Sequence, residues 1–164
     1  MGDIRQLTET GLLAAFIFLT GAIKVPGLVP GTEFQLSAPL AVAICTVFGF
    51  RRYITAGVIA SIIGLVLGTQ NFVSLFIAMV FRLTVGGALA VGGTTWPVIV
   101  VAGPVGSMAA RLVLGVVIGD AAIALVMAAV PGMIYTALTA WPLTLVMKRV
   151  KNQTERVLTS ALQR

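Results

Sequence analysis

Long, nearly continuous apolar runs constrain this sequence more than any other feature. Breaks at charges and at Gly/Pro clusters divide the chain into six segments, at about 5–24, 35–50, 53–69, 72–91, 96–118 and 121–147. A transmembrane helix needs about 20 apolar residues, or fewer where the bilayer thins. Lipid forces a segment to satisfy its own backbone hydrogen bonds, and these runs do not alternate as barrel strands do. The sequence therefore predicts an all-α integral membrane protein, a compact bundle of six transmembrane helices.

The scarcity of charge supports this fold and excludes other classes of protein. Charged residues make up 10% of the 164 positions and hydrophobic residues 59%, whereas about 25% of a soluble domain is charged. The connections are too short for a soluble domain, so residues 1–164 are predicted to form one membrane domain. The chain has no histidine and a single cysteine, Cys45, which argues against a metal site or a disulfide framework. We expect no metal and no cofactor.

The basic residues predict how the bundle is oriented. An even number of spans places both termini on one side, and the basic tail at 148–164 together with Arg5 places that side in the cytoplasm. Arg51 and Arg52 follow the second span and agree with this orientation. The net charge of +6 thus marks the inner face of the cell membrane, and no nucleic-acid partner is expected. A cleaved signal peptide is the alternative for the first segment, but the acidic Asp3 argues against it.

Two arginines within the predicted spans are the main candidates for contact with a ligand. Arg82 lies about midway along the fourth span, and Arg111 lies in the outer half of the fifth. An arginine at the bilayer centre costs about 2.5–3.5 kcal/mol on insertion scales, so it usually faces a polar interior. Either arginine is suited to hold an anionic or strongly polar ligand. The alternatives are a structural ion pair and an arginine that caps backbone carbonyls.

Further candidates lie at the predicted outer surface. The loop KVPGLVPGTEFQ at 24–35 contains two Pro-Gly pairs, which predict consecutive turns and an ordered cap. Polar residues of the third span's outer end and the fifth span's outer end fall on the same side. The predicted ligand-binding residues are Glu33, Phe34, Gln35, Gln70, Asn71, Phe72, Arg82, Arg111 and Asp120. A plain role as solvated turn residues is the alternative for Gln70 and Asn71.

No catalytic constellation accompanies these residues in the sequence. There is no Ser/His pair, no pair of carboxylates within the spans, and no glycine-rich loop followed by the Lys-Ser/Thr of a nucleotide site. We therefore expect no enzymatic activity. Any active transport would need energy from another protein.

The stretch from Gly11 to Gly68 resembles the S components of energy-coupling factor (ECF) transporters. It combines small residues in the first helix, a Pro-Gly loop, a polar entry into the second helix and a basic, glycine-containing turn into the third. The segments VAGPVGSMAARLVLG and AAVPGMIYTALTAWPLTLVMKRV are similar to the last two helices of that family. The resemblance covers nearly the whole chain.

The resemblance implies a function, a set of partners and a mechanism. An S component binds a vitamin or related micronutrient near the outer face, between helices 4, 5 and 6. It joins a transmembrane coupling protein and two ATP-binding subunits in an ABC importer, and delivers its ligand by reorienting in the membrane. Gly11, Ala14 and Ala15 would dock the coupling protein. The alternatives are a stand-alone channel or secondary carrier, and a membrane scaffold without a ligand.

Overall fold

Six helices and one short hairpin build the protein. The computed structural model describes residues 2–26, 33–35, 37–118 and 122–162. The elements in chain order are α1 (Gly2–Ala22), β1 (Lys24–Pro26), β2 (Glu33–Gln35), α2 (Ser37–Phe48), α3 (Phe50–Val66), α4 (Phe72–Gly92), α5 (Trp96–Ile118) and α6 (Ala122–Leu162). The two strands pair antiparallel, with Val25 opposite Phe34. The predicted helical architecture is confirmed, with the hairpin added in the first loop.

The helix bounds lie within three residues of the predicted spans, except at the end of α6. The second helix begins at Ser37 rather than at 35, because 33–35 form a strand. The sixth helix runs for 41 residues to Leu162, since its basic and polar continuation contains good helix formers. Among the described residues, three helices are long and apolar enough to cross a membrane, Phe72–Gly92, Trp96–Val116 and Val126–Arg156. Six crossings and the orientation of the termini stay predictions.

The short helix α2 is the centre of the bundle. Residues 39–45 are buried, and Val42, Ala43 and Ile44 have no exposed surface. This helix packs most extensively on α6 and touches each of the other four. Its 12 residues span about 18 Å. The uninterrupted apolar run in this part of the sequence therefore serves a helix that is buried on all sides.

Small residues let the surrounding helices approach one another closely. On α3, Ala56 and Ala60 are buried in the core. A Cβ atom at Gly103 of α5 would overlap Thr136 of α6, so these two helices touch where the glycine has no side chain. Close approach of this kind is typical of helix packing in membranes, where lipid offers no hydrophobic drive for association.

A glycine turn joins α3 to α4 and positions the loop between them. Gly68 has φ of 68°, a left-handed conformation that costs glycine little. The N–H of Thr69 donates to the carbonyl of Gly64 at 2.9 Å, and the N–H of Gly68 donates to the carbonyl of Leu65 at 3.1 Å. These two bonds are those of a Schellman motif. The turn brings Gln70 back against Gly64, where its Cδ would lie 3.0 Å from an added Cβ.

Candidate ligand-binding site

The bundle contains a cavity of about 320 Å³. Its rim includes Gly21 in the last turn of α1, Ser37 at the start of α2, Gln70 in the α3–α4 connection and Ser74 in the first turn of α4. These positions lie at the end of the bundle where odd-numbered helices finish and even-numbered helices begin. The volume is at the lower end of the range for ligand pockets, about 300–1,000 Å³, which suits a small molecule.

Both candidate arginines line this cavity, at different depths. Arg82 lies about 15 Å along α4 from its first residue, and Arg111 lies about 10 Å before the end of α5. The two arginines lie on different helices and are 29 positions apart in the sequence. They come close together because α4 and α5 pack side by side. The cavity therefore presents two guanidinium groups from neighbouring helices.

The side chain of Arg82 packs closely against α3 and is hydrogen-bonded to it. Its Nη1 donates to Ser61 Oγ at 2.9 Å and to Met79 Sδ at 3.5 Å, and the residue is 6% exposed. The side chain passes over Gly57, where a Cβ atom would overlap Nε and lie 2.8 Å from Cδ. Only glycine at this position leaves room for the arginine in its observed place.

Arg111 is less constrained. It is half-buried, and its Nη1 donates to the backbone carbonyl of Ser107, one turn earlier on α5, at 3.3 Å. Among the described residues, no carboxylate lines the cavity or pairs with either arginine. The part of the cavity that the structure describes thus carries an excess of positive charge, which favours an anion.

Two further polar atoms of the cavity wall lack partners within the described structure. They are the hydroxyl of Tyr53, a residue with no exposed surface, and Oε1 of Gln70. A buried polar atom without a hydrogen bond costs about 1–3 kcal/mol. Such atoms in a cavity are commonly completed by water or by a ligand. Gln70 Oε1 is therefore available to a bound molecule, whereas the Tyr53 hydroxyl lies near the guanidinium of Arg82.

The remaining wall is largely apolar. Most of it comes from Ile77 and Phe81 of α4, Leu114 of α5 and alanines of α2, α4, α5 and α6, and Ile17 of α1 and Tyr135 of α6 also line it. A few polar groups set in an apolar wall are typical of a small-molecule site, because the polar groups orient the ligand and the apolar wall removes it from water. This arrangement can bind a molecule, and the described lining contains no pair of groups arranged for acid–base or nucleophilic chemistry.

The structure brings three of the predicted ligand-binding residues to the cavity, Gln70, Arg82 and Arg111. Asn71 has another task, because its Oδ1 accepts a hydrogen bond from the N–H of Ser74 at 2.8 Å and caps α4. Phe72 is 80% exposed and does not line the cavity. Ligand contact by the three lining residues stays a prediction.

The other predicted residues fall outside what the structure describes. The backbone of β2 includes Glu33, Phe34 and Gln35, but their side chains lie outside the described part of the chain. Asp120 lies outside it altogether.

Several residues that line the cavity were not predicted from the sequence. Ser107 and Thr136 were not predicted to contact a ligand, although Ser107 lies one turn from Arg111 and so shares its face of α5. Tyr53 follows the basic pair at 51–52 and gave no signal of its own, because its burial depends on how α3 packs into the core of the bundle.

The predicted docking residues on α1 do not share one face. Gly11 and Ala15 are exposed, and nothing lies near Gly11. Ala14 is 1% exposed and belongs to the core with Leu13 and Ile17. The reason is that this side of α1 packs into the core of the bundle. Ala14 therefore does not belong to the exposed surface of α1.

Sequence similarity decides the family. The chain is 49% identical to protein BioX of Lysinibacillus sphaericus over 139 residues. The aligned residues make up 85% of this chain and 84% of BioX. The chain belongs to the BioX family. This relationship confirms the resemblance to the S components of ECF transporters, and together with the apolar helices it identifies a membrane protein. No protein-family model matches the chain, and no solved structure matches it.

Proposed function

We propose that this protein is the membrane-embedded, high-affinity substrate-binding subunit of an ECF-type ABC importer. The observation that carries the proposal is the cavity with Arg82 and Arg111 inside a bundle whose outer surface exposes large apolar side chains, such as Val66, Val91 and Val116. Arginine inside a membrane protein is costly and usually serves function. A cavity of this size and charge is suited to capture a small acidic molecule.

The proposed substrate is a vitamin or a related small micronutrient. The name of the BioX relative points to biotin metabolism, and biotin and its precursors are small organic acids with apolar chains. Their carboxylates would meet the guanidinium groups, and their chains would contact the apolar wall. The protein would bind and release this molecule without changing it chemically.

The proposed topology has six crossings, with both termini in the cytoplasm and the cavity at the outer face. Basic residues support it. Lys151 of α6 donates to the carbonyl of Val47 at the end of α2, at 3.1 Å, so the basic part of α6 lies beside the turn that carries Arg51 and Arg52. Both basic groups thus share one end of the bundle, and lining residues of the cavity such as Gly21, Ser37 and Ser74 lie at the other. The positive-inside rule assigns the basic end to the cytoplasm.

The proposed partners are a transmembrane coupling protein and two ATP-binding subunits, which would drive reorientation in the membrane. The exposed face of α1 around Gly11 and Ala15 is the proposed docking surface, without Ala14. At Gly11 the surface is flat, with open space where a side chain would lie. A flat, small-residue face lets another helix approach closely.

Reconstitution tests this function. Proteoliposomes with the chain alone, and with the chain plus a coupling module, are assayed for uptake of radiolabelled biotin and of labelled small carboxylic acids. We expect binding by the chain alone, but uptake only with the module and ATP. Flux through the chain alone would instead identify a secondary carrier or channel.

The docking surface has its own test. Gly11→Leu is expected to abolish co-purification of the coupling module and ATP-dependent uptake, because the added side chain separates the two helices, while ligand binding is unchanged. Ala22→Leu, at another exposed position of α1, is the matched control. Equal retention of the module by both variants would exclude this face as the docking surface.

A further inference from the structure

We infer that one face of α6 binds an anionic phospholipid of the leaflet at the basic end of the bundle, which is the inner leaflet in the proposed topology. The apolar half of this face would hold an acyl chain, and the basic half would hold the phosphate of the headgroup. This surface lies outside the cavity, and neither the substrate nor the partner subunits are needed to occupy it.

The helix α6 has an apolar part and a basic part. It runs from Ala122 to Leu162, and its apolar sequence ends at Met147. The continuation at 148–162 carries four basic residues and one acidic residue. Basic residues immediately beyond a membrane span are attracted to the anionic headgroups of the adjoining leaflet. The order of residues along α6 therefore matches the order of acyl chain and headgroup in a phospholipid.

Lys151 fixes which side of this continuation turns toward the bundle. Its Nζ donates to the carbonyl of Val47 at 3.1 Å and lies 5.3 Å from the centre of the Phe48 ring. Arg149 precedes Lys151 by two positions, so it lies on nearly the opposite side of the helix. It is exposed. The contact with the end of α2 therefore holds Arg149 away from the bundle.

Four polar side chains share this outward face and form an open depression in the surface. They are Arg149, Asn152, Gln153 and Arg156. All four are exposed, and residues at these spacings lie on one side of a helix. The acidic residue of the segment, Glu155, is one position from Arg156 and therefore about 100° away around the helix. The face thus offers two guanidinium groups and two amides, all of which can donate to a phosphate.

The same face is apolar in the part of α6 that precedes Met147. Ile134, Leu138 and Leu145 are 56%, 72% and 44% exposed, and their spacing along the helix places them in line with Arg149. From Ile134 to Leu145 the helix rises about 16 Å. Half of the hydrocarbon core of a bilayer is about 15 Å thick. One acyl chain can therefore lie along the apolar half while its headgroup meets Arg149.

The continuity of the two halves favours a lipid over other anions. An acidic partner protein would pair with the basic half, but it would not require an apolar stripe of one leaflet's depth in line with it. A free phosphate ion would use the basic half alone. A phospholipid uses both halves at once, because its phosphate and its acyl chain are covalently joined in the same order.

Native mass spectrometry of the purified full chain in detergent tests this site. Phosphatidylglycerol and phosphatidylcholine with identical acyl chains are added at equal concentration, and glycerol 3-phosphate serves as the probe without acyl chains. We expect the protein to retain phosphatidylglycerol at least about tenfold better than phosphatidylcholine, and glycerol 3-phosphate not to displace it. Equal retention of the two lipids, or displacement by glycerol 3-phosphate, would overturn the inference.

Two exposed arginines at the same end of the bundle provide a matched pair of variants. Arg149→Gln removes one guanidinium from the site and should reduce the preference for phosphatidylglycerol about fivefold. Arg51→Gln on α3 removes the same charge outside the site and should change the preference less than about twofold, because solvent and salt screen its charge. Equal effects of the two variants would indicate a diffuse basic surface and contradict a defined site.

The lipid site and the proposed function fail separately. The lipid measurement contains no biotin and no coupling module, so absence of biotin uptake would contradict the proposed function and leave the lipid site standing. If Arg149→Gln keeps the lipid preference but no longer retains the coupling module, the face belongs to a protein partner and the lipid inference is overturned. Biotin binding should be the same in Arg149→Gln as in the unmodified protein, since Arg149 does not line the cavity.

Discussion

Arg82 and Arg111 line the same cavity from adjacent helices, but their surroundings differ. Arg82 is almost fully buried, bonded to Ser61 and seated over Gly57. Arg111 is half-buried and bonded to one backbone carbonyl of its own helix. The first arginine therefore also belongs to the contact between α3 and α4, whereas the second makes its one described hydrogen bond within its own helix. Variants that affect one and spare the other test this distinction.

The largest effect is expected from a side chain placed under Arg82. Gly57→Leu should lower the free energy of unfolding by about 2–3 kcal/mol and abolish ligand binding, because the new side chain occupies the position of the guanidinium. Gly87→Leu on α4 is the matched control, since nothing lies near Gly87, and its change should stay within about 0.5 kcal/mol. Equilibrium unfolding in mixed micelles measures both. Equal stability of the two variants would mean that the position of Arg82 does not depend on the absence of a side chain at Gly57.

The next largest effect is expected where the residue that accepts a hydrogen bond from each arginine is replaced by alanine. Ser61→Ala removes the oxygen that Arg82 contacts at 2.9 Å and should cost about 1.5 kcal/mol of unfolding free energy. Ser107→Ala leaves the backbone carbonyl that Arg111 contacts, so a loss below about 0.5 kcal/mol is expected. The same unfolding measurement applies. A larger loss for Ser107→Ala would reverse the comparison between the two sites.

Removal of the charge should change the stability of the protein in opposite directions at the two arginines. Arg111→Met is expected to stabilise the unliganded protein by about 1 kcal/mol, because a poorly compensated charge leaves an apolar setting. Arg82→Met should not stabilise it, since Ser61 loses its donor and a void opens over Gly57. Thermal unfolding without ligand measures the difference. Stabilisation by Arg82→Met alone would show that Arg82 is the more strained group.

The smallest effect is expected beside Arg82, at Tyr53. Its hydroxyl is buried without a hydrogen bond to the described residues, and water in the cavity can complete its bonding when no ligand is bound. Tyr53→Phe should therefore change the unfolding free energy by less than about 0.5 kcal/mol. Ligand affinity should fall severalfold if the hydroxyl completes its bonding with the ligand. The two measurements together separate a binding role from a structural one, and a large loss of stability without ligand would reveal a structural partner.

The sequence was sufficient for most of the fold. Runs of apolar residues predicted each helix to within a few residues, because lipid or a buried core requires such runs and charges interrupt them. The hairpin at 24–26 and 33–35 was missed, since a loop with two Pro-Gly pairs does not show whether its flanks will pair. The end of α6 was also missed, because polar residues continue a helix as readily as they end one.

The site was only partly predictable. Arg82 and Arg111 stood out because a charge within an apolar run is rare and costly. Asn71 and Phe72 were grouped with them through their position at the same surface, yet Asn71 caps α4 and Phe72 is exposed. Which face of a helix turns inward depends on its neighbours, and a short loop beside a site gives no information about that rotation.

The sequence by itself determined that this chain forms apolar helices, where its charges lie and which arginines are candidates for ligand contact, because apolar length and charge cost are local properties. Only the tertiary structure decided that Arg82 and Arg111 share one cavity, that Tyr53 reaches it and that Ala14 is buried in the core. These are contacts between residues far apart in the chain. They follow from helix rotation and close packing at small residues, which no single segment specifies.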